Sequence, residues 1–119
     1  VEAAALTEML GRPAAAAGLP HLVITKGSRG ADYYGEHDGT HDDKGGSLHH
    51  PAFKVSPVDT TGAGDCFFGY LLAGIAEGGD MASSLRLASA AAALQVTHHG
   101  ATAAIPTRTA VDEFLACQD

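Results

Sequence analysis

Asp59-Thr60-Thr61-Gly62-Ala63-Gly64-Asp65 sets two carboxylates and two hydroxyls around a Gly-Ala-Gly turn. The run that follows, Cys66-Phe67-Phe68-Gly69-Tyr70-Leu71-Leu72-Ala73-Gly74-Ile75-Ala76, is apolar and long enough for a helix. The pattern predicts a helix from about Gly62 to Ala76, ended by Glu77 and Gly78-Gly79, with Asp65 in its first turn. A helix N-terminus has unpaired N–H groups and a partial positive charge, so it suits an anion. A carboxylate beside an anion site is an awkward electrostatic pairing. It makes chemical sense where the carboxylate takes a proton from a hydroxyl that attacks a phosphoryl group. A loose phosphoryl-transfer transition state needs little early deprotonation, so orientation and late proton acceptance suffice. Gly62, Ala63 and Gly64 bring no side-chain chemistry, but they let phosphate oxygens reach backbone N–H groups. The bland alternative for Asp65 is a carboxylate that merely offsets the helix dipole, worth under about 1 kcal/mol.

Outward from this segment the pattern is strands first, then helices. Glu2 to about Ala17 is rich in Ala, Leu and Met and predicts a helix interrupted near Gly11-Arg12-Pro13. His21-Leu22-Val23-Ile24-Thr25, between Pro20 and Gly27, predicts a buried strand, and Ala31-Asp32-Tyr33-Tyr34 a second one across the Gly27–Gly30 turn. Gly35 to Gly46 is polar and Gly-rich, hence a surface loop or hairpin. Leu48 to Val58 reads as one or two extended pieces with Pro51 and Pro57 at their edges. Met81 to Thr97 is an Ala-rich helical pattern with Asp80 as N-cap, and Thr107 to Cys117 a final helix. Thr109 is the expected cap of that helix, with Val111, Phe114 and Leu115 on its inner face. The order indicates a layered α/β fold without internal repeats.

Composition narrows the function. The net charge is −7 with seven Lys and Arg, which argues against a nucleic-acid surface. No stretch is apolar enough to span a bilayer, and the first residues are not a signal peptide, so no membrane partner is expected. Two cysteines, Cys66 and Cys117, make no disulfide framework and are expected in a reducing cytoplasm. Seven histidines invite a metal reading, yet His37, His41, His49 and His50 match neither helix-face nor zinc-knuckle spacing. Lys26 is not a P-loop lysine, because no Gly-Lys-Ser/Thr follows the pattern.

Three blocks together resemble the ribokinase-like (PfkB) carbohydrate kinases. They are the Asp59–Asp65 signature with its helix, the strand and turn Val23-Ile24-Thr25-Lys26-Gly27-Ser28-Arg29-Gly30-Ala31, and the ending Ala90 to Ala101 followed by Ile105-Pro106-Thr107-Arg108. The resemblance implies a three-layer α/β/α sandwich, of which residues 1–119 are the C-terminal nucleotide-binding and catalytic part. It implies ATP-dependent phosphorylation of a sugar hydroxyl, with Asp65 as general base and Gly62, Ala63 and Gly64 as anion hole. Thr25, Gly27, Ser28 and Gly30 match positions flanking the nucleotide, and Ser89 one near the adenine. Read alone, the same glycines are a hairpin turn needing positive φ, and Ser89 is packing in an Ala-rich helix.

The resemblance also implies metals. Glu2, followed by Leu6-Thr7, matches the Glu of an Asn-x-x-Glu motif whose Asn would lie before residue 1, and would orient Mg2+ through water. Its plain alternative is a helix-start carboxylate. Asp59 and the carbonyl of Thr61, with backbone groups of Gln95, His98 and Gly100 and a group near Ala104, match a monovalent-cation site, K+ being the expected ion. Ala104 stands where ribokinases often have Ser, which removes one oxygen. Alternatively Asp59 is a turn-capping residue bonded to the N–H of Thr60 or Thr61. Family members are more than twice as long, so the absence of an initiator Met and the truncated motif point to a fragment, without the N-terminal half and its lid. ATP and a small sugar are the expected partners, pentoses such as ribose foremost, and the parent is compatible with a homodimer. The competing reading is a catalytically inactive fragment or module that only binds nucleotide.

Overall fold

The β-branched run between Pro20 and Gly27 pairs with the next strand exactly where the sequence turns on two glycines. The computed structural model describes residues 21–35, 47–100 and 104–118, in two units that divide after Pro51. In the first unit, β1 (His21–Thr25), β2 (Ala31–Gly35) and β3 (Ser47–His50) form an antiparallel sheet in the order β1-β2-β3. The register sets Ile24 opposite Asp32 and Asp32 opposite His49. Directly paired residues share a face, so these three side chains lie in one row across the sheet. Ala31 and Tyr33 are buried on the other face, and Ile24 is buried within the row.

A short 3-10 turn, Gly27–Arg29, joins β1 to β2. Gly27 has φ 57° and Gly30 φ 94°, a region that glycine enters without steric cost. The extended stretch expected to Val58 is a strand only at Ser47–His50. The helix expected over residues 2–17 and the loop of 36–46 lie outside the described residues.

The second unit is helical: α1 (Ala63–Ala76), α2 (Met81–Val96) and α3 (Arg108–Ala116). Asp80 caps α2 as expected, its Oδ1 accepting from Ser83 N at 2.7 Å. The cap of α3 differs from expectation. Thr107, not Thr109, accepts from the N–H of Ala110 at 3.2 Å: Thr107 is extended (ψ 160°), as a capping residue is, whereas Thr109 lies inside the helix. Cys66, Leu87, Ala90, Ala91 and Val111 form the core of this unit, flanked by Phe53, Tyr70, Leu94, Phe114 and Leu115. Phe53 meets Phe114 edge-on at 5.2 Å, and the Arg86 guanidinium lies 5.5 Å from the Phe53 ring centre.

Small residues let α1 and α2 approach closely. A Cβ on Gly74 would stand 2.8 Å from Ser84 Oγ and 3.2 Å from Ser84 Cα. Gly74→Ala is therefore expected to lower the thermal midpoint. Overpacking of about 1–3 kcal/mol exceeds the helix-propensity gain of about 1 kcal/mol. Ser84→Ala should not lower it, because the buried Ser84 Oγ finds no hydrogen-bond partner among the described residues. Thermal unfolding of both variants checks the pair, and an unchanged midpoint for Gly74→Ala would deny the close packing.

Candidate active site

Gly62 is the N-cap of α1 at φ 79°, ψ 1°, the left-handed region, and no side chain caps the helix. Ala63 N donates to Thr60 O at 3.2 Å, and Cys66 N makes the first intrahelical bond, to Gly62 O at 3.0 Å. The N–H groups of Gly64 and Asp65 fall between these two and have no acceptor within the helix. A Cβ at Gly64 would meet nothing within 4 Å, so the space in front of this terminus is open. The exposed Asp65 stands in the first turn, beside those donors. Donors and a carboxylate at one helix start make a place where an anion and a hydroxyl can meet.

Asp59 organises the loop that leads there. Its Oδ1 accepts from Thr61 N at 2.9 Å and its Oδ2 from Gly100 N at 2.9 Å, so one carboxylate ties the loop to the segment after α2. The Gly100 N–H, followed by the Thr61 bonds, pulls its carboxyl from the ordinary 3.8 down to about 2. Val58 N and Asp59 N donate to Val96 O at 2.6 and 3.0 Å, which satisfies the last carbonyl of α2. Gln95, fully buried, donates from Nε2 to Thr61 O at 3.0 Å. The turn-cap role of Asp59 and the gathering of Asp59, Thr61, Gln95 and Gly100 are thus both present.

The Asp59 carboxylate and the Thr61 carbonyl are oxygens of the kind a hard cation takes. Thr61 O keeps a second lone pair beside its bond to Gln95. The Gln95 carbonyl accepts from His98 N at 3.1 Å. His98 itself is exposed, with Nδ1 within 3.2 Å of Leu94 O, and Ala104 is buried. The side-chain role of Gln95 was not foreseen, although a polar residue one turn beyond Ala91 on a buried helix face was a visible signal.

A cleft of about 310 Å³ opens beside Asp65, lined by Gly62, Cys66, Gly69, Tyr70, Ala73, Gln95 and Ile105. Tyr70 OH donates to Pro106 O at 2.5 Å, which anchors the segment carrying Ile105. Cys66 is a packing residue. Burial pushes its thiol up to about 11, so it is neither a thiolate nor a nucleophile at neutral pH.

The other expected residues belong to other elements. Thr25, Gly27, Ser28 and Gly30 form the end of β1 and the turn of the first unit, with Gly27 and Ser28 exposed. Ser89 is buried within α2, 7% exposed. Glu2 lies outside the described residues. Among the described residues, no group of three or more His, Cys, Asp or Glu could hold a metal ion. None of the described helices is long and apolar enough to cross a membrane.

The chain is 49% identical over 65 residues to a ribokinase of Bacillus subtilis, covering 55% of this chain and 22% of that protein. It is 37% identical over 106 residues to fructokinase-2 of Zea mays, covering 83% and 29%. A structure of the Arabidopsis thaliana ribokinase complexed with ribose and ATP superposes with a TM-score of 0.76 at 25% identity, over 95% of this chain and 38% of that one. The chain thus spans under a third of the length of the curated relatives it matches. Residues 2–108 match the family model of pfkB carbohydrate kinases, and with the Gly62–Asp65 helix entry in place the chain belongs to that family and has its ribokinase-like α/β fold.

Proposed function

We propose that this chain supplies the phosphoryl-transfer end of an ATP-dependent kinase for a sugar hydroxyl, residues 1–119 being its C-terminal nucleotide-binding and catalytic part. The observation that carries the proposal is an uncapped helix start with a carboxylate in its first turn. Asp65 accepts the proton of the attacking hydroxyl late in the transfer. The Gly62-Ala63-Gly64 entry acts as the anion hole, the open backbone N–H groups of Gly64 and Asp65 stabilising the charge that spreads over the equatorial phosphoryl oxygens. The Gly27–Gly30 turn, exposed at Gly27, Ser28 and Arg29, meets the nucleotide, with Thr25 and Ser28 as its polar groups. Asp59, through Thr61 and Gly100, keeps the loop in shape.

A monovalent cation held by Asp59 and the surrounding carbonyls would add fixed positive charge beside the helix start, and Mg2+ would screen the phosphates, with Glu2 as its orienting carboxylate. Ribose and fructose are the first acceptors to try, since the relatives named above are a ribokinase and a fructokinase.

Calorimetry with ATP, followed by ADP release over a panel of pentoses, hexoses and nucleosides, tests the proposal on the whole protein. Sugar-dependent release is the expected result. Nucleotide binding without turnover on any acceptor would make the protein a binding module instead. K+ is expected to raise turnover severalfold over a bulky organic cation. Equal rates in Na+, K+ and the bulky cation would remove the Asp59 site from the mechanism.

A further inference from the structure

Asp32 is a buried carboxylate in the middle strand of the sheet, remote in sequence from the Asp59–Asp65 signature. Its Oδ2 accepts from Lys26 Nζ at 2.8 Å and its Oδ1 from His49 Nδ1 at 2.5 Å. Tyr34 OH stands 3.4 Å from Oδ2. Lys26 directly follows β1, Asp32 lies in β2 and His49 in β3, so one side chain joins all three strands. The Lys26 and Asp32 side chains are only 18% and 12% exposed, which sets the pair apart from a solvent-screened surface bridge. Burial pushes the Asp32 carboxyl up, but the bonds from Lys26 and His49 outweigh it and hold it below the usual range.

Lys26 is also the backbone gate of the turn. Its N–H donates to Gly30 O at 2.7 Å and its carbonyl accepts from Arg29 N at 3.1 Å, while Gly30 N donates to Gly27 O at 3.1 Å. The side chain of the same residue reaches over the turn to Asp32, two residues beyond Gly30. A loop with two glycines at positive φ is easily reshaped, since glycine resists few conformations. Two ties at its ends, one of backbone and one of side chains, restrict it to a single shape. Such restriction lowers the ordering cost of any ligand the turn receives.

We propose that Asp32 is a positioning residue for the nucleotide: with His49 behind it, it straps Lys26 and so presets the Gly27–Gly30 turn for binding. This deepens the proposed function and rests on its assignment of the turn to the nucleotide. Lys26 acts here as a strap and not as a direct phosphate ligand.

The test uses the whole protein with Asp32→Asn, Lys26→Met and the double variant. Each single change is expected to raise the KM for ATP about tenfold, the worth of a partly buried charged hydrogen bond, while kcat changes less than about twofold. The double variant should be no worse than either single one, since both break the same link. His49→Ala should give a smaller rise. Amide hydrogen exchange without nucleotide supplies an independent readout: Lys26, Arg29 and Gly30 should exchange about tenfold faster in Lys26→Met, with the amides of β1 unchanged. Lys26→Met keeps the aliphatic stem, so it serves if Asp32→Asn does not fold. Unchanged exchange at the turn overturns the strap. Faster exchange with an unchanged KM for ATP keeps the strap and overturns its role in nucleotide binding. A wild-type protein that binds no nucleotide would sink the proposed function itself, while the exchange experiment still decides the strap. Additive effects of the two single changes would make Lys26 an independent phosphate contact.

Discussion

Asp65→Asn in the whole protein is expected to retain nucleotide binding and to lose roughly two to four orders of magnitude in turnover, the usual worth of a positioned general base. Asn has nearly the same shape as Asp, so the first turn of α1 should keep its geometry. The Gly64 and Asp65 N–H groups are backbone and remain available to the phosphate. Removing a negative charge beside bound phosphate even favours the ground state, so the affinity for ATP should hold or rise. What is lost is the acceptor for the hydroxyl proton, and with it the orientation of the attacking oxygen. Single-turnover rates beside calorimetric ATP affinity separate the two effects. Near-normal turnover would remove Asp65 from the mechanism and leave it the dipole-offsetting role.

Gly62→Val should fall almost as far, by a different route. Gly62 sits at φ 79°, ψ 1° as N-cap of α1. An L-residue there costs about 1–2 kcal/mol, and a β-branched one is a genuine outlier. The loop would relieve the strain by rotating, and rotation moves the open N–H groups of Gly64 and Asp65 off the phosphoryl oxygens. Loss of one oxyanion-type donor costs about a hundred- to thousandfold in kcat. Gly62→Asn is the control, because Asn enters the left-handed region more readily than other residues, and it should retain far more activity. Equal losses in the two variants would show that the side chain itself obstructs the site, not the backbone angle. Wild-type rates in Gly62→Val would show that the anion hole is built elsewhere.

Asp59 illustrates how local signals and distant contacts divide the work. Its bond to Thr61 N spans two residues and was legible as a turn-capping pattern. Its bond to Gly100 N spans 41 residues and follows only once α2 has returned the chain to the loop. The same holds for Gln95, whose side chain reaches Thr61 O across 34 residues. The cap of α3 failed as a sequence expectation for a smaller reason. Thr107 and Thr109 are equally competent cap residues, and the one with extended backbone, Thr107, takes the role while Thr109 stands within the helix.

The sequence by itself determined most of the elements and which residues stand at the start of α1. Apolar periodicity, two glycine pairs and an acidic N-cap are local properties, and local sterics and capping act before any tertiary contact forms. That is why β1, β2, α1 and α2 fell where their residues predicted them, and why Asp65 lay in the first turn of α1. Tertiary structure alone decided which polar groups meet. Lys26, Asp32 and His49 share no spacing that marks them as a set; strand register brings them to one carboxylate. Asp59, Gln95 and Gly100 likewise converge only through the return of α2. Register and helix return are settled by burial of apolar faces, a property summed over the whole unit that no short motif records.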